Sequence, residues 1–264
     1  MIKLIGIPFD GNSSFLKGPA LAPPRIRLMA AAGSANSFSE SVTEILNGRN
    51  YTDLGDMSFP DSNPEEGYSK IKDRIHHELK TDCKIICLGG DHSISFPVIE
   101  AFADNFKNIN ILHLDAHPDL YDNFDDNPYS HASPFARLME KKVIKSLTQV
   151  GIRTLNTHQR EQAAKFGVTI IEMKDFSCDF LKTLQAPLYI SLDLDVLDPA
   201  FAPGISHHEP GGLTSRELIN IIQNIPVTII GADIVEYNPT RDINNMTAMV
   251  AYKLFKELVD KMMD

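Results

Sequence analysis

The sequence predicts an α/β fold in three layers, αβα, with an eight-stranded, mostly parallel sheet between two layers of helices. Short apolar runs rich in β-branched residues recur along the chain, and stretches with helical spacing of apolar residues separate them. Strands that are apolar on both faces are typical of a parallel sheet covered by helices on each side. The length of 264 residues and the 43% hydrophobic content suit one soluble domain over residues 1–264.

The strand predictions rest on apolar runs that end in Gly, Asp or Pro clusters. Seven runs are strongly apolar: residues 3–7, 84–88, 109–114, 147–151, 168–171, 188–192 and 227–234. A weaker run at residues 50–54 brings the predicted total to eight strands.

Helices are predicted where apolar residues recur with a period near 3.6. These stretches are residues 64–80, 93–105, 134–141, 157–165, 214–223 and 245–263. Long loops are predicted at residues 8–24, 33–49, 115–133 and 195–213, and the last two begin where predicted strands end. Ligands bind at the carboxyl ends of the strands in open α/β sheets, so we expect the chemistry in these two loops.

The charge balance limits the classes of partner. The chain has 35 acidic and 25 basic side chains and a formal net charge of −10, which argues against nucleic acid or an anionic membrane as partner. A cationic ligand suits this charge better. No run approaches the roughly 18 apolar residues of a membrane span, and the first residues lack the apolar core of a signal peptide. The default expectation is a cytoplasmic location.

The three cysteines, Cys83, Cys87 and Cys178, contain no CxxC pair. Neither a disulfide framework nor a thiolate zinc site is expected, and all three are predicted to be buried thiols.

Three segments at predicted strand ends carry candidate chemistry: GGDHS at 89–93, DAHPD at 115–119 and SLDLDVLDP at 191–199. Each has an ordinary structural alternative. The first could be a glycine-rich turn with Ser93 as a helix N-cap, the second a helix cap, and the third an Asp-Pro turn. All three together at the ends of strands in one sheet favour a metal site.

The spacing in these segments turns several carboxylates to one side. Asp115, His117 and Asp119 alternate along an extended backbone, and Asp193 and Asp195 do the same. Four crowded carboxylates repel each other unless cations lie among them. With the imidazoles of His92 and His117, the set suits two divalent metals, and its hard oxygen ligands favour Mn²⁺.

Two neighbouring metal ions activate water, so the expected reaction is hydrolysis. A phosphate substrate would call for cationic side chains around the metals. Residues 89–131 contain a single Lys or Arg, Lys107, and residues 189–215 contain none. The loop instead carries Asp122, Asp125 and Asp126, so a positively charged substrate is expected.

The three motifs, in order and spacing, resemble those of the ureohydrolases, the family of arginases and agmatinases. The resemblance runs from Gly18 and Pro19 to the closing helix. Residues 115–140, 198–218 and 232–254 are most similar to plant-type arginases. The resemblance implies the arginase-like fold and a homo-oligomer, a trimer or hexamer.

The resemblance also implies roles for individual residues. One Mn²⁺ would be bound by His92, Asp115, Asp119 and Asp193, and the other by His117, Asp115, Asp193 and Asp195. His131 matches the family's proton-shuttling histidine, and Glu236 matches the carboxylate that holds the substrate guanidinium. Asp119 would help stabilise the tetrahedral intermediate. Taken without the resemblance, His131 could be an ordinary loop histidine, and Glu236 could form a salt bridge with Arg241.

The implied reaction is cleavage of L-arginine to urea and L-ornithine. Asn123, Ser133 and Tyr121 are candidates for binding the substrate tail. His207 and His208 could line the mouth of the site, but a solvated loop is the preferred interpretation. The alternatives are an agmatinase, a hydrolase of another small guanidino compound, a metal-binding homologue without activity, and a metal-dependent deacetylase, which the six matching ligands disfavour.

Overall fold

A computed structural model describes residues 1–59 and 63–264, and within these residues eight strands form one sheet. The strands are β1 (Ile2–Gly6), β2 (Tyr51–Asp56), β3 (Lys84–Leu88), β4 (Asn110–Leu114), β5 (Ser146–Ile152), β6 (Thr169–Glu172), β7 (Leu188–Asp193) and β8 (Ile229–Val235). Their order is β2-β1-β3-β8-β7-β4-β5-β6, and every neighbouring pair is parallel. The predicted sheet is confirmed.

The α-helices in the described residues are α1 (Ala22–Ala31), α2 (Pro64–Glu78), α3 (Ser95–Asn105), α4 (Pro134–Lys141), α5 (Thr157–Phe166), α6 (Ser215–Gln223) and α7 (Met246–Met263). Sequence analysis missed α1, because Pro23 and Pro24 lie inside the loop predicted at residues 8–24. Proline is tolerated in the first turn of a helix, where its missing N–H has no partner in any case, so these prolines begin the helix.

Helices cover both faces of the sheet, and each face has its own hydrophobic core. Side chains alternate along β3, so Ile86 and Leu88 pack on the side of α1, α6 and α7. Ile85 and Cys87 pack on the opposite side, with α2, α3 and α4. This arrangement confirms the three-layer αβα architecture.

The structure bears on the predictions for the cysteines and for membrane-spanning segments. Cys83 and Cys87 are buried thiols, but Cys178 is exposed, because it begins a short 3-10 turn at the surface before β7. None of the helices in the described part of the chain combines the length and hydrophobicity that a membrane crossing requires.

The register of the four central strands aligns their carboxyl ends. Leu88 of β3 pairs with Ile234 of β8, and Leu192 of β7 pairs with both Ile234 and Leu114 of β4. The residues that follow these four positions therefore meet at one edge of the sheet. All three motifs predicted to carry chemistry begin at this edge or cross it.

Candidate metal centre and substrate cavity

The first group of candidate ligands surrounds His92. Its Nδ1 atom lies 3.0 Å from Asp115 Oδ2, 3.1 Å from Asp119 Oδ2 and 3.1 Å from Asp193 Oδ2. Its other ring nitrogen, Nε2, is paired at 2.9 Å with the Ser191 hydroxyl. Nδ1 is buried, yet none of its contacts among the described residues has the geometry of a hydrogen bond. A buried ring nitrogen that faces three carboxylate oxygens fits a metal ion between them.

A second group adjoins the first and shares Asp115 with it. His117 Nδ1 lies 3.0 Å from Asp195 Oδ2 and 3.3 Å from Asp115 Oδ1. Asp115 therefore offers Oδ2 to the first group and Oδ1 to the second. The structure brings together the six residues predicted to bind metal. Clusters that include His92, Asp115 and Asp119, or Asp115, His117 and Asp195, could each hold an ion.

Main-chain amides orient these carboxylates. Asp195 N–H donates to Asp193 Oδ1 at 2.8 Å, and Ala116 N–H donates to Asp195 Oδ1 at 3.0 Å. In both side chains this leaves Oδ2 for the ligand cluster. Asp119 has a φ of 51°, in the left-handed region that Asp tolerates better than most residues, and this conformation turns its carboxylate back toward His92.

The buried carboxylates repel one another. Burial, followed by the charges of Asp195 and Asp115, raises the pKa of Asp193 well above its ordinary value. Burial and the charge of Asp115 also raise the pKa of Asp195. Divalent cations would relieve this repulsion, and four carboxylates with two imidazoles are a donor set that such ions accept.

His131 and Glu236 form a buried pair beside the ligand cluster. His131 Nδ1 lies 2.8 Å from Glu236 Oε1, which also accepts the His92 main-chain N–H at 2.9 Å. Burial lowers the pKa of His131, but the Glu236 carboxylate more than offsets this and raises it to about 9. His131 lies in a loop, but it is buried and its partner is Glu236, and Glu236 pairs with His131 and not with Arg241.

Glu236 adopts an uncommon backbone conformation, with a φ of 62°. This region is sparsely populated by residues with long side chains, and such strain occurs often at functional sites. The conformation follows directly after β8 and directs the carboxylate toward His92 and His131. No pattern in the sequence predicts this conformation.

Ser14 completes the surroundings of His131, and sequence analysis did not identify it. Its hydroxyl lies 2.8 Å from His131 Nε2. The N-terminal loop reaches this position because Asp91 accepts hydrogen bonds from the Asn12 main chain and the Ser13 hydroxyl. Gly90 permits the approach, since a Cβ there would lie 1.7 Å from the Phe9 carbonyl oxygen.

A cavity of about 190 Å³ opens onto these groups. Its lining residues are Ser14, His117, Asp119, Tyr121, Phe124, His131, Ala132, Thr154, Gln159, Asp193, Asp195, His207 and Glu236. Among the described residues, this lining has four carboxylates and no Lys or Arg. Arg153 lies nearby, but its guanidinium donates to main-chain carbonyl groups of Asp195, Leu197 and Glu209. The cavity therefore suits a small cationic molecule, as predicted.

The candidates for binding a substrate tail are placed differently. Tyr121 lines the cavity, but Asn123 is exposed and is not part of the lining. Ser133 is fully buried at the N-terminus of α4, also away from the lining. Side chains that are neighbours in a loop point in different directions, so the composition of the loop does not show which of them face the cavity. Thr154 and Gln159 line the cavity and were not predicted, although Thr154 lies just beyond β5, where a strand end offers a signal.

His207 does not lie in a solvated loop, which was the preferred interpretation of its segment. It lines the cavity, and its ring centroid lies 5.5 Å from that of His117 and 5.7 Å from that of His131. His208 is exposed and pairs with the Pro203 carbonyl oxygen at 2.9 Å. The solvated-loop interpretation holds for His208 and is wrong for His207.

Known proteins resemble this chain over nearly its whole length. Arginase 1, mitochondrial, from Arabidopsis thaliana is 47% identical over 277 residues, an alignment that covers 98% of this chain and 80% of the relative. An agmatinase from Bacillus cereus is 30% identical, and the alignment covers 98% of this chain and 90% of the agmatinase. The solved structure of an arginase from Medicago truncatula matches with a TM-score of 0.93 at 43% identity, covering 99% of this chain and 87% of that one.

These relatives contradict one expectation. Plant arginases of 44–47% identity carry names that place them in mitochondria, or in chloroplasts and mitochondria. The predicted cytoplasmic location is therefore wrong, and the names point to an organelle. The prediction rested on the lack of an apolar span and of a signal-peptide core, which are features of membrane insertion and secretion and not of import into these organelles.

A family model supports the resemblance that the three motifs indicate. A model of the arginase family matches residues 1–260, a range that includes all six candidate metal ligands, His131 and Glu236. Arginases and agmatinases both occur among the similar proteins, and the solved structures of an arginase from Medicago truncatula and an agmatine ureohydrolase from Thermoplasma volcanium share the fold, with TM-scores of 0.93 and 0.89. The chain belongs to the arginase family.

Proposed function

We propose that this protein is a binuclear manganese hydrolase that cleaves the guanidino group of L-arginine to give urea and L-ornithine. The observation that carries this proposal is a cluster of four carboxylates and two imidazoles, of which His117, Asp119, Asp193 and Asp195 line a cavity whose described lining has no Lys or Arg side chain. The similarity to plant arginases over 98% of the chain supports arginine as substrate. We also propose that residues 1–264 form one domain, since the cluster draws on strands from both halves of the sheet.

The proposed ligands divide between two Mn²⁺ ions. His92, Asp115, Asp119 and Asp193 would hold one ion, and His117, Asp115, Asp193 and Asp195 the other. Bound ions would supply an activated water for attack on the guanidinium carbon. The oxygen-rich donor set favours manganese over metals that prefer thiolates.

Glu236 is proposed to orient the substrate. Its Oε1 atom is taken up by His92 N–H and His131, which leaves Oε2 for a guanidinium N–H. A guanidinium remains protonated at any working pH, so a buried carboxylate is a suitable partner for it. Asp119, also in the cavity wall, is proposed to accept a second N–H as the carbon becomes tetrahedral.

His131 is proposed to supply the proton that the leaving amine needs. Its pKa of about 9 keeps the imidazole protonated at neutral pH. The Ser14 hydroxyl at its Nε2 atom holds the ring in place and connects it to the cavity.

The substrate tail would meet hydroxyl groups rather than cations. Ser14, Tyr121 and Thr154 take the place of Asn123 and Ser133 in this proposal. The Tyr121 hydroxyl accepts from Asn156 at 2.6 Å, so its own proton is free to reach an α-carboxylate. The absence of Lys and Arg from the cavity lining favours agmatine as the second candidate substrate, because agmatine lacks that carboxylate.

The test is urea release from a panel of L-arginine, agmatine and 4-guanidinobutyrate at equal low concentration with added Mn²⁺. We expect L-arginine to be hydrolysed fastest. Faster release from agmatine would overturn the arginase assignment and leave hydrolysis of a guanidino group standing. No urea from any of the three would overturn both.

Replacing Glu236 with Gln should lower kcat/KM for all guanidino substrates alike, since they share the group that Glu236 is proposed to hold. Loss of one partner from a buried charge pair costs about 2–5 kcal/mol, and we expect a loss of this size in kcat/KM. The same change removes the charge that raises the pKa of His131. The fall of kcat at high pH, measured in a pH profile, should therefore move to lower pH.

Glu209→Gln is the matched control for this prediction, because Glu209 lies at the outer mouth and its change should leave kcat/KM within a few fold. A Glu236→Gln protein that loses activity toward arginine but not agmatine would contradict the assigned role.

Assembly into a homo-oligomer, a trimer or hexamer, remains part of the proposal. Several large apolar side chains are exposed in the isolated chain, among them Phe15, Leu21, Leu28, Ile243 and Met246. Light scattering coupled to size-exclusion chromatography measures the mass directly, and a mass near 29.4 kDa would rule out an oligomer.

A further inference from the structure

A buried imidazole beside the ligand cluster has no part in the proposed chemistry. His113 lies on β4, two residues before Asp115, and is fully buried. Its Nε2 atom is 2.7 Å from Asp115 Oδ2, the oxygen that also faces His92. By distance alone, His113 could serve as a second imidazole ligand in the first group.

The hydrogen bonds on the other side of the ring decide its role. His113 Nδ1 lies 2.9 Å from Gln149 Nε2, on the neighbouring strand β5, and Gln149 is also fully buried. The same Gln149 amide nitrogen donates to the Pro118 carbonyl oxygen at 2.5 Å. A carbonyl oxygen accepts and never donates, so Pro118 fixes which end of the Gln149 amide faces inward.

This orientation sets the tautomer of His113. Because the Gln149 NH₂ group donates to Nδ1, that nitrogen must accept, and the hydrogen of a neutral ring must lie on Nε2. Nε2–H then donates to Asp115 Oδ2. A nitrogen that carries a hydrogen has no lone pair for a metal, so His113 orients a ligand and is not one itself.

We infer that His113 and Gln149 are positioning residues that hold Asp115 in the geometry needed by both ions. Asp115 faces both ligand groups, so a displacement of its carboxylate would lower metal affinity at both sites. Gln149 also fixes Pro118, which lies between His117 and Asp119. One amide group thus restrains three proposed ligands, one through His113 and two through the loop. The inference rests on the proposed binuclear centre.

Gln149→Met tests it, because Met keeps the buried volume and removes both donated hydrogen bonds. Changes in groups that orient metal ligands lower metal affinity by about 10- to 100-fold, and we expect a loss of this size for both Mn²⁺ ions. Isothermal titration of Mn²⁺ into metal-free protein measures affinity and stoichiometry without reference to activity. Gln162→Met, in a buried glutamine of α5 outside the ligand cluster, is the matched control and should bind as the parent does.

His113 offers a second comparison that holds if Gln149→Met does not fold. His113→Gln keeps an N–H donor near Asp115 and should retain more Mn²⁺ affinity than His113→Leu, which has none. The melting temperatures of the metal-free variants separate a metal effect from a loss of fold.

Three outcomes would decide against the inference. Parent affinity in Gln149→Met, or equal affinity in the two His113 variants, would overturn it while the proposed metal centre stands. A parent protein that binds no Mn²⁺ would overturn the centre and the inference together.

Discussion

Asp115→Ala is expected to remove both Mn²⁺ ions and with them all measurable urea release. The carboxylate offers one oxygen to the group around His92 and the other to the group around His117, so its loss weakens both proposed sites. Asp193→Ala should have the same effect if Asp193 bridges as proposed. Asp119 belongs to the first group alone, and Asp119→Ala should leave the second ion in place.

Metal analysis after dialysis measures these differences as ions per chain. Asp122→Ala is the control, since this carboxylate lies on the same loop but is exposed and pairs with His158. The melting temperature of the metal-free Asp115→Ala protein separates metal loss from loss of fold, because the change also leaves the buried His113 Nε2 without its partner. Two ions per chain in Asp115→Ala would show that it does not bridge.

His131→Asn is expected to lower kcat by about 10²- to 10⁴-fold, the usual contribution of a positioned proton donor. The imidazole faces Glu236 on one side and Ser14 on the other, and it is not among the proposed metal ligands. Metal content should therefore stay at the parent level while turnover falls. This combination separates His131 from Asp115, whose loss reduces both.

The control for this change is His77→Asn on α2, which lies outside the cavity lining and the ligand groups. Its kcat should equal that of the parent. Turnover of His131→Asn within a few fold of the parent would show that water, and not this imidazole, protonates the leaving amine.

The sequence was sufficient to predict the sheet and the meeting of the candidate metal ligands at one edge of it, because both depend on local patterns. Strands buried on both faces are continuous apolar runs, and the candidate ligands lie at the end of three of them or just beyond, in the motifs at 89–93, 115–119 and 191–199. Once the strands are parallel, their ends meet, so residues far apart in the chain, such as His92 and Asp193, become neighbours.

Contacts made by loops could not be predicted in this way. Ser14 reaches His131 only because Asp91 holds the N-terminal loop, and no periodicity marks that contact. The pairing of His131 with Glu236 joins a loop to the strained end of β8. Asn123 and Tyr121 are two residues apart in one loop, yet only Tyr121 faces the cavity.

The order of strands in the sheet has a consequence for how the protein is made. The strand β8 is the last of the eight along the chain, but it lies between β3 and β7 in the sheet. During synthesis, the half that contains His92 and the half that contains Asp115 and Asp193 emerge long before the strand that joins them. A ribosome must therefore pass residue 235 before the two halves can close around metal. A nascent chain that ends before β8 would lack the strand between β3 and β7. Five of its candidate ligands would then lie in the half of the sheet that contains β7 and β4, and His92 in the half that contains β3.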